Sequence, residues 1–221
     1  MTSLGVATTP SVGIAAGARS DLRAAWLGEA GAVVGVAGLV TLGLMFALEV
    51  PSGGPYRFGT VNDFCGAAFS ALFIPVAAQV ARRLPKQPRW QVFTRVTYAA
   101  AVAGAILPLL LVSGALAFET QVPLVVACIE LQSLWLVVAG RQLVRVPGFE
   151  RLGRVSSIVG SSFIVGTTLF GAGLLAPADS PLRLGLWAVG GIMGAAGYIG
   201  WPYWYHAVAG VLRRAARASG G

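Results

Sequence analysis

The chain has 221 residues, of which 56% are hydrophobic and only 11% charged, with a mean hydropathy of +0.76 and a net charge of +8. A water-soluble domain carries roughly 25% charged residues, so a chain this poor in charge cannot solvate its own surface and is expected to face lipid. The basic excess does not point to nucleic acid, because no basic-aromatic groove or nucleic-acid-binding motif accompanies it.

Residues 1–28 read as a flexible tail, rich in Thr, Ser and Gly before Arg19, Asp21 and Arg23. They do not read as a secretory leader, which needs a basic start, an apolar core and a cleavage site. About 20 apolar residues cross a hydrocarbon core of roughly 30 Å. By that measure spans are predicted at 31–48, 64–80, 96–118, 122–140, 155–175 and from 184 to about 203. These segments are apolar on all sides, not alternating as in a membrane barrel. Backbone in lipid must satisfy its own hydrogen bonds, so each span is a helix. The predicted fold is all-α, a polytopic bundle of six transmembrane helices within one domain over 29–206, followed by a basic tail over 207–221.

Charge sets the expected orientation. Arg82, Arg83, Lys86, Arg89 and Arg95 lie between the second and third spans, and Arg141, Arg145, Arg151 and Arg154 between the fourth and fifth. Arg19 and Arg23 precede the first span, and Arg213, Arg214 and Arg217 follow the sixth. The other three connections hold Arg57 and Arg183 with the acids Glu49, Asp63, Glu119 and Asp179. Six spans put every basic cluster on one side, which the positive-inside rule makes the cytoplasm, with both termini there. Anionic headgroups are the expected partners of these clusters. Heavy use of Arg over Lys, with much Ala, Gly and Val, is a bias of GC-rich bacteria, so a bacterial cytoplasmic membrane is the expected location.

Gly31 and Gly35 in the first span, Gly190 and Gly194 in the sixth, and the pairs Ser156/Gly160 and Ser162/Gly166 in the fifth repeat at the spacing that lets membrane helices approach closely. They are expected to pack helices of one chain together. Trp201, Pro202, Tyr203, Trp204, Tyr205 and His206 read as an aromatic belt at the cytoplasmic headgroups. Cys65 and Cys128 lie at different depths and read as apolar fillers, not a disulfide or a metal pair.

Candidate chemistry centres on Glu130, near the middle of the fourth span. An acid at that depth costs roughly 2.5 kcal/mol or more, so it is paired or functional. Ser133, three residues on, shares its side of the helix, and Gln132 adds polarity nearby. Thr41, Ser70, Ser113, Thr167 and Thr168 lie at depths from which they can partner it. The hydroxyls of the fifth span, Thr167 and Thr168 among them, can line a wet path or bond back to their own helix. Asp63, with Asn62, either caps the second span or, with Tyr56 and Arg57 close by, marks the rim of an outward-facing site. Glu49, Glu119 and Asp179 read as solvated loop acids.

A single histidine, His206, excludes bis-histidine haem, and the metalloprotease, nucleophile-elbow and phosphate-loop motifs are missing. No cofactor, metal or catalytic residue is therefore expected. The favoured expectation is translocation or sensing of a small solute, ion or proton, with Glu130, Gln132, Ser133, Asp63, Thr167 and Thr168 as the binding set. The alternative is a non-catalytic partner or scaffold subunit in which Glu130 is structural and a second protein covers the chain.

Overall fold

The computed structural model describes residues 11–177 and 179–218, with side chains from Gly17 onward. The expected tails over 1–10 and 219–221 lie outside the described residues. Six helices follow one another: α1 (Ser11–Leu44, continued by one wide turn, Met45–Glu49), α2 (Arg57–Ala81), α3 (Pro88–Val112), α4 (Phe118–Leu143), α5 (Glu150–Leu175) and α6 (Pro181–Ala218). All six are long and apolar enough to cross a membrane, and no strand occurs among the described residues. Val33, Leu184 and Ile192 are 69–70% exposed. A surface so apolar suits lipid and not water, as in a multi-pass membrane protein.

Each helix packs on its neighbours in sequence, and α6 closes back on α1. The result is a ring of antiparallel helices. One end, the basic end, carries the arginines of the α2–α3 and α4–α5 connections and of the α6 terminus. Gly114 and Gly148 take φ of 74° and 81° in the α3–α4 and α4–α5 turns, a left-handed backbone that suits glycine.

Two expected boundaries are corrected. Residues 11–28, read as a tail, belong to α1, and residues 207–218 belong to α6. At about 1.5 Å per residue, α1 and α6 reach about 51 and 57 Å, against about 38 Å for the others. The long pair stays helical because its extra turns are packed. Asp21 is buried, paired with Arg83 of the α2–α3 connection and bonded by Gln79. Val208, Leu212 and Ala216 are buried too. Glu29 on α1 accepts from Arg213 at 2.9 Å and contacts His206 at 3.0 Å, both on α6.

The small residues pack helices within the chain, as expected. Gly31 and Gly35 leave room for Tyr205 and Pro202 of α6. Gly166 lies so close to the backbone of Gly194 that a Cβ could not fit between them, and Gly160 meets the Ser133 carbonyl in the same way. α5 is thereby held tightly against both α4 and α6.

The aromatic belt is also corrected. Because α6 runs to Ala218, residues 201–205 fall in mid-helix, and Trp201, Trp204 and Tyr205 are at most 3% exposed. Of the belt's rings Tyr203 and His206 are exposed, and the Tyr203 hydroxyl accepts from Arg151 at 3.2 Å. The others join Phe69, Phe73, Trp90 and Trp135 in one aromatic layer, with Phe73 within 5.5–5.9 Å of Trp135, Trp201 and Trp204. Three of its polar edges are bonded: Trp204 donates to Ser156 Oγ at 2.8 Å, Trp135 to Thr94 Oγ1 at 3.2 Å, and Tyr205 to the Phe69 carbonyl at 2.7 Å, whereas the Trp201 indole N–H is buried with no hydrogen-bond acceptor among the described residues.

Candidate functional site

The ring is filled differently at its two ends. On the basic side the aromatic layer closes it. On the other side a cavity of about 960 Å³ opens between α1, α2, α3, α4 and α6. Phe69 and Trp201, at the edge of the aromatic layer, belong to its wall, and α5 contributes nothing to it.

The wide turn Met45–Glu49 shapes the mouth. Its N–H to C=O bond spans five residues, from Val50 back to Met45, at 2.9 Å. Such a turn widens the helix and re-aims its side chains. Met45 and Phe46 face the cavity. Glu49, on the same turn, reaches α2: both carboxylate oxygens accept from the Phe58 N–H at 3.0 Å, and one accepts from Gly59 N–H at 3.2 Å. Glu49 is 7% exposed, so it is no solvated loop acid. It supplies the cap of α2, satisfying N–H groups that have no partner within the helix. Asn62 and Asp63 do not cap, because α2 begins at Arg57 and they fall in its second turn. Glu119 and Asp179 are exposed, as expected.

Polar groups meet the cavity at two levels. Asp63 lies about 9 Å along α2, near the mouth, with Thr60 and Asn62 beside it. Tyr198 of α6 lines the cavity as well. Deeper, Gln132 lies about 21 Å along α4. Its Nε2 donates to the Cys128 carbonyl at 3.2 Å and approaches Gly104, as does Ser70 Oγ from α2. Gln121, about 5 Å along α4, lines the wall near the mouth. The rest of the lining is mostly apolar, and among the described residues no Lys, Arg or His belongs to it.

The predicted binding set therefore divides. Asp63 and Gln132 line the cavity, whereas Glu130, Ser133, Thr167 and Thr168 do not. Residues two apart on a helix point about 200° from each other, so Gln132 faces the cavity and Glu130 faces away from it. Glu130 is half-buried at the α4–α5 seam, and Thr167 Oγ1 donates to its Oε1 at 2.7 Å. Of its suggested partners, Thr167 is the one it meets. Thr168 is exposed, and Ser133 is buried with no hydrogen bond to its hydroxyl. Neither lines the cavity. Cys65, read as a filler, lines the cavity, and Cys128 is buried behind its floor; both are free.

The chain matches no known family model, no curated protein and no solved structure. No group of three or more His, Cys, Asp or Glu capable of holding a metal occurs among the described residues. The arrangement can hold a molecule with an apolar body between helices and contact its polar atoms at the mouth and at the floor.

The Thr167 hydroxyl has one proton and three acceptors in reach: Glu130 Oε1, and the carbonyls of Phe163 and Ile164 at 3.0 and 3.1 Å. A glutamine at position 130 can accept through its oxygen or donate through its nitrogen. Glu130→Gln is therefore expected to change stability by less than about 1 kcal/mol, read as a small shift in the melting temperature of the purified protein. A shift of 10 °C or more, about the size of a lost core contact, would show that the charge itself is required.

Proposed function

We propose that the chain is a six-span protein of a bacterial cytoplasmic membrane, with both ends in the cytoplasm, that binds a small, largely apolar solute for sensing or transport. The cavity of about 960 Å³ carries this reading. Its volume falls at the upper end of the roughly 300–1,000 Å³ found for small-molecule sites. The orientation rests on the arginines gathered at one end of the ring, which the positive-inside rule assigns to the cytoplasm. The cavity then opens away from the cytoplasm, and the aromatic layer closes the path inward. A carrier needs that layer to part; a sensor needs only the helices around the solute to shift. Glu130 serves neither role in this reading. It ties α4 to α5 through Thr167.

The test is a cavity-filling variant. Gly66 lines the cavity, and a Cβ added there meets nothing within 4 Å. Gly66→Phe should fold as the wild type does and fill the space. The neutral probe 1-naphthylmethanol should bind saturably to the wild-type protein in nanodiscs, above the uptake of protein-free discs. Gly66→Phe should weaken this binding about tenfold or more. Equal binding to both proteins would remove the cavity as the site.

A further inference from the structure

We propose that the solute is an organic monocation with an apolar body, a lipophilic amine whose ammonium group pairs with Asp63. This rests on the cavity being a solute site and specifies the chemistry it selects.

The buried and half-buried carboxylates of this chain are otherwise all answered. Asp21 has Arg83 and Gln79, Glu29 has Arg213 and His206, Glu49 has the backbone of α2, and Glu130 has Thr167. Asp63 alone among them has no hydrogen bond or ion pair within the described residues. It is half-buried, and it faces the cavity. A carboxylate withdrawn from water is costly unless it is paired. Among the described residues no counter-charge is offered there, because no basic side chain lines the cavity and Arg57, about one and two-thirds turns earlier on α2, is exposed and outside it.

The cavity wall sets the rest of the molecule. A bare metal ion or ammonium would leave a space of about 960 Å³ unfilled and would meet one carboxylate where a metal needs several ligands. An anion would meet Asp63 with no compensating cation. A neutral apolar molecule would fill the space but leave Asp63 unanswered. An amine on an apolar skeleton does both things: its ammonium donates charge-assisted hydrogen bonds to Asp63, and its body packs on Leu39, Leu42, Phe69 and Trp201. An aromatic or hydroxylated end would also reach the amide of Gln132 at the floor.

The experiment compares three probes of one shape: 1-naphthylmethylamine, 1-naphthylmethanol and 1-naphthylacetate. Binding is measured by equilibrium dialysis against the full-length protein in phosphatidylcholine nanodiscs, which carry no net charge to concentrate the amine, with protein-free discs subtracted. The amine is expected to bind at least about tenfold more tightly than the alcohol, with the carboxylate weakest. In Asp63→Asn the amine should fall to the affinity of the alcohol, while the alcohol itself binds unchanged. The wild-type ratio stands as a result even if that variant does not fold. Equal binding of amine and alcohol to the wild type would overturn the cation assignment and leave the solute cavity intact. No binding of either would overturn both.

Discussion

Replacing Phe73 with alanine is expected to destabilise the bundle by about 3 kcal/mol. Phe73 is fully buried and stands at the centre of the aromatic layer, against Trp135, Trp201 and Trp204. In water-soluble cores a Phe→Ala change costs about 3–5 kcal/mol, the sum of a transfer term and the cavity left behind. Helices that come apart within a bilayer stay in an apolar medium, so much of the transfer term is absent and the lower end is expected. The three tryptophans around Phe73 are on α4 and α6 while Phe73 is on α2, so the void would loosen contacts across the ring. Thermal unfolding of the purified protein checks this, with Ile192→Ala as the control. Ile192 is 70% exposed, and its loss should leave the melting temperature unchanged. An equal, small effect of both substitutions would mean that the aromatic layer does not hold the ring together.

Glu49→Ala is expected to cost about 2–3 kcal/mol and to act locally. It strips the Phe58 and Gly59 N–H groups of their acceptor in a site that is largely closed to water. Hydrogen bonds to an ionised group contribute about 1.5–3 kcal/mol, and the carboxylate also sits where the helix dipole favours negative charge. Glu49→Gln keeps the shape and one carbonyl oxygen but loses the charge, so it should fall between Ala and the wild type. The local readout is amide hydrogen exchange. The first turns of α2 should exchange faster in Glu49→Ala, while α5 and its packing glycines keep their protection. Unchanged exchange at Phe58 and Gly59 would show that the cap contributes nothing.

The number of helices and their antiparallel order could be read from the sequence because each depends on a property summed over about 20 residues. The packing glycines could be read as well, since close approach needs a small residue at a fixed helical spacing. What escaped depended on helix ends and on which way single side chains face. Placing the end of the last helix near Tyr203 made Trp201, Trp204 and Tyr205 look interfacial. The apolar positions Val208, Val211 and Leu212, at helical spacing beyond them, signalled that the buried face continues to Ala218. Glu49 looked solvated because Pro51, Ser52, Gly53 and Gly54 follow it, and its partners, Phe58 and Gly59, lie across that loop. Asn62 and Asp63 are the usual residue types for a cap, and this hid a cap supplied from another helix. Glu130 is an acid that needs a partner at its depth, and Thr167, at a matching depth on the next helix, supplies it. Grouping Glu130 with Gln132 ignored their opposed directions on one helix. Asp63 came from the sequence as a rim residue; its isolation from every basic side chain needed the fold.

Cys65 lies within the cavity wall and reports which face of the membrane the cavity opens to. In a Cys128→Ala protein Cys65 is the one remaining thiol. A membrane-impermeant thiol reagent would be applied to spheroplasts, which expose the outer face, and to inverted vesicles, which expose the cytoplasmic face. Cys65 is expected to be modified in spheroplasts, spared in inverted vesicles, and protected by 1-naphthylmethylamine. Modification only from the cytoplasmic face, or no modification until the protein is denatured, would contradict a cavity that opens away from the cytoplasm.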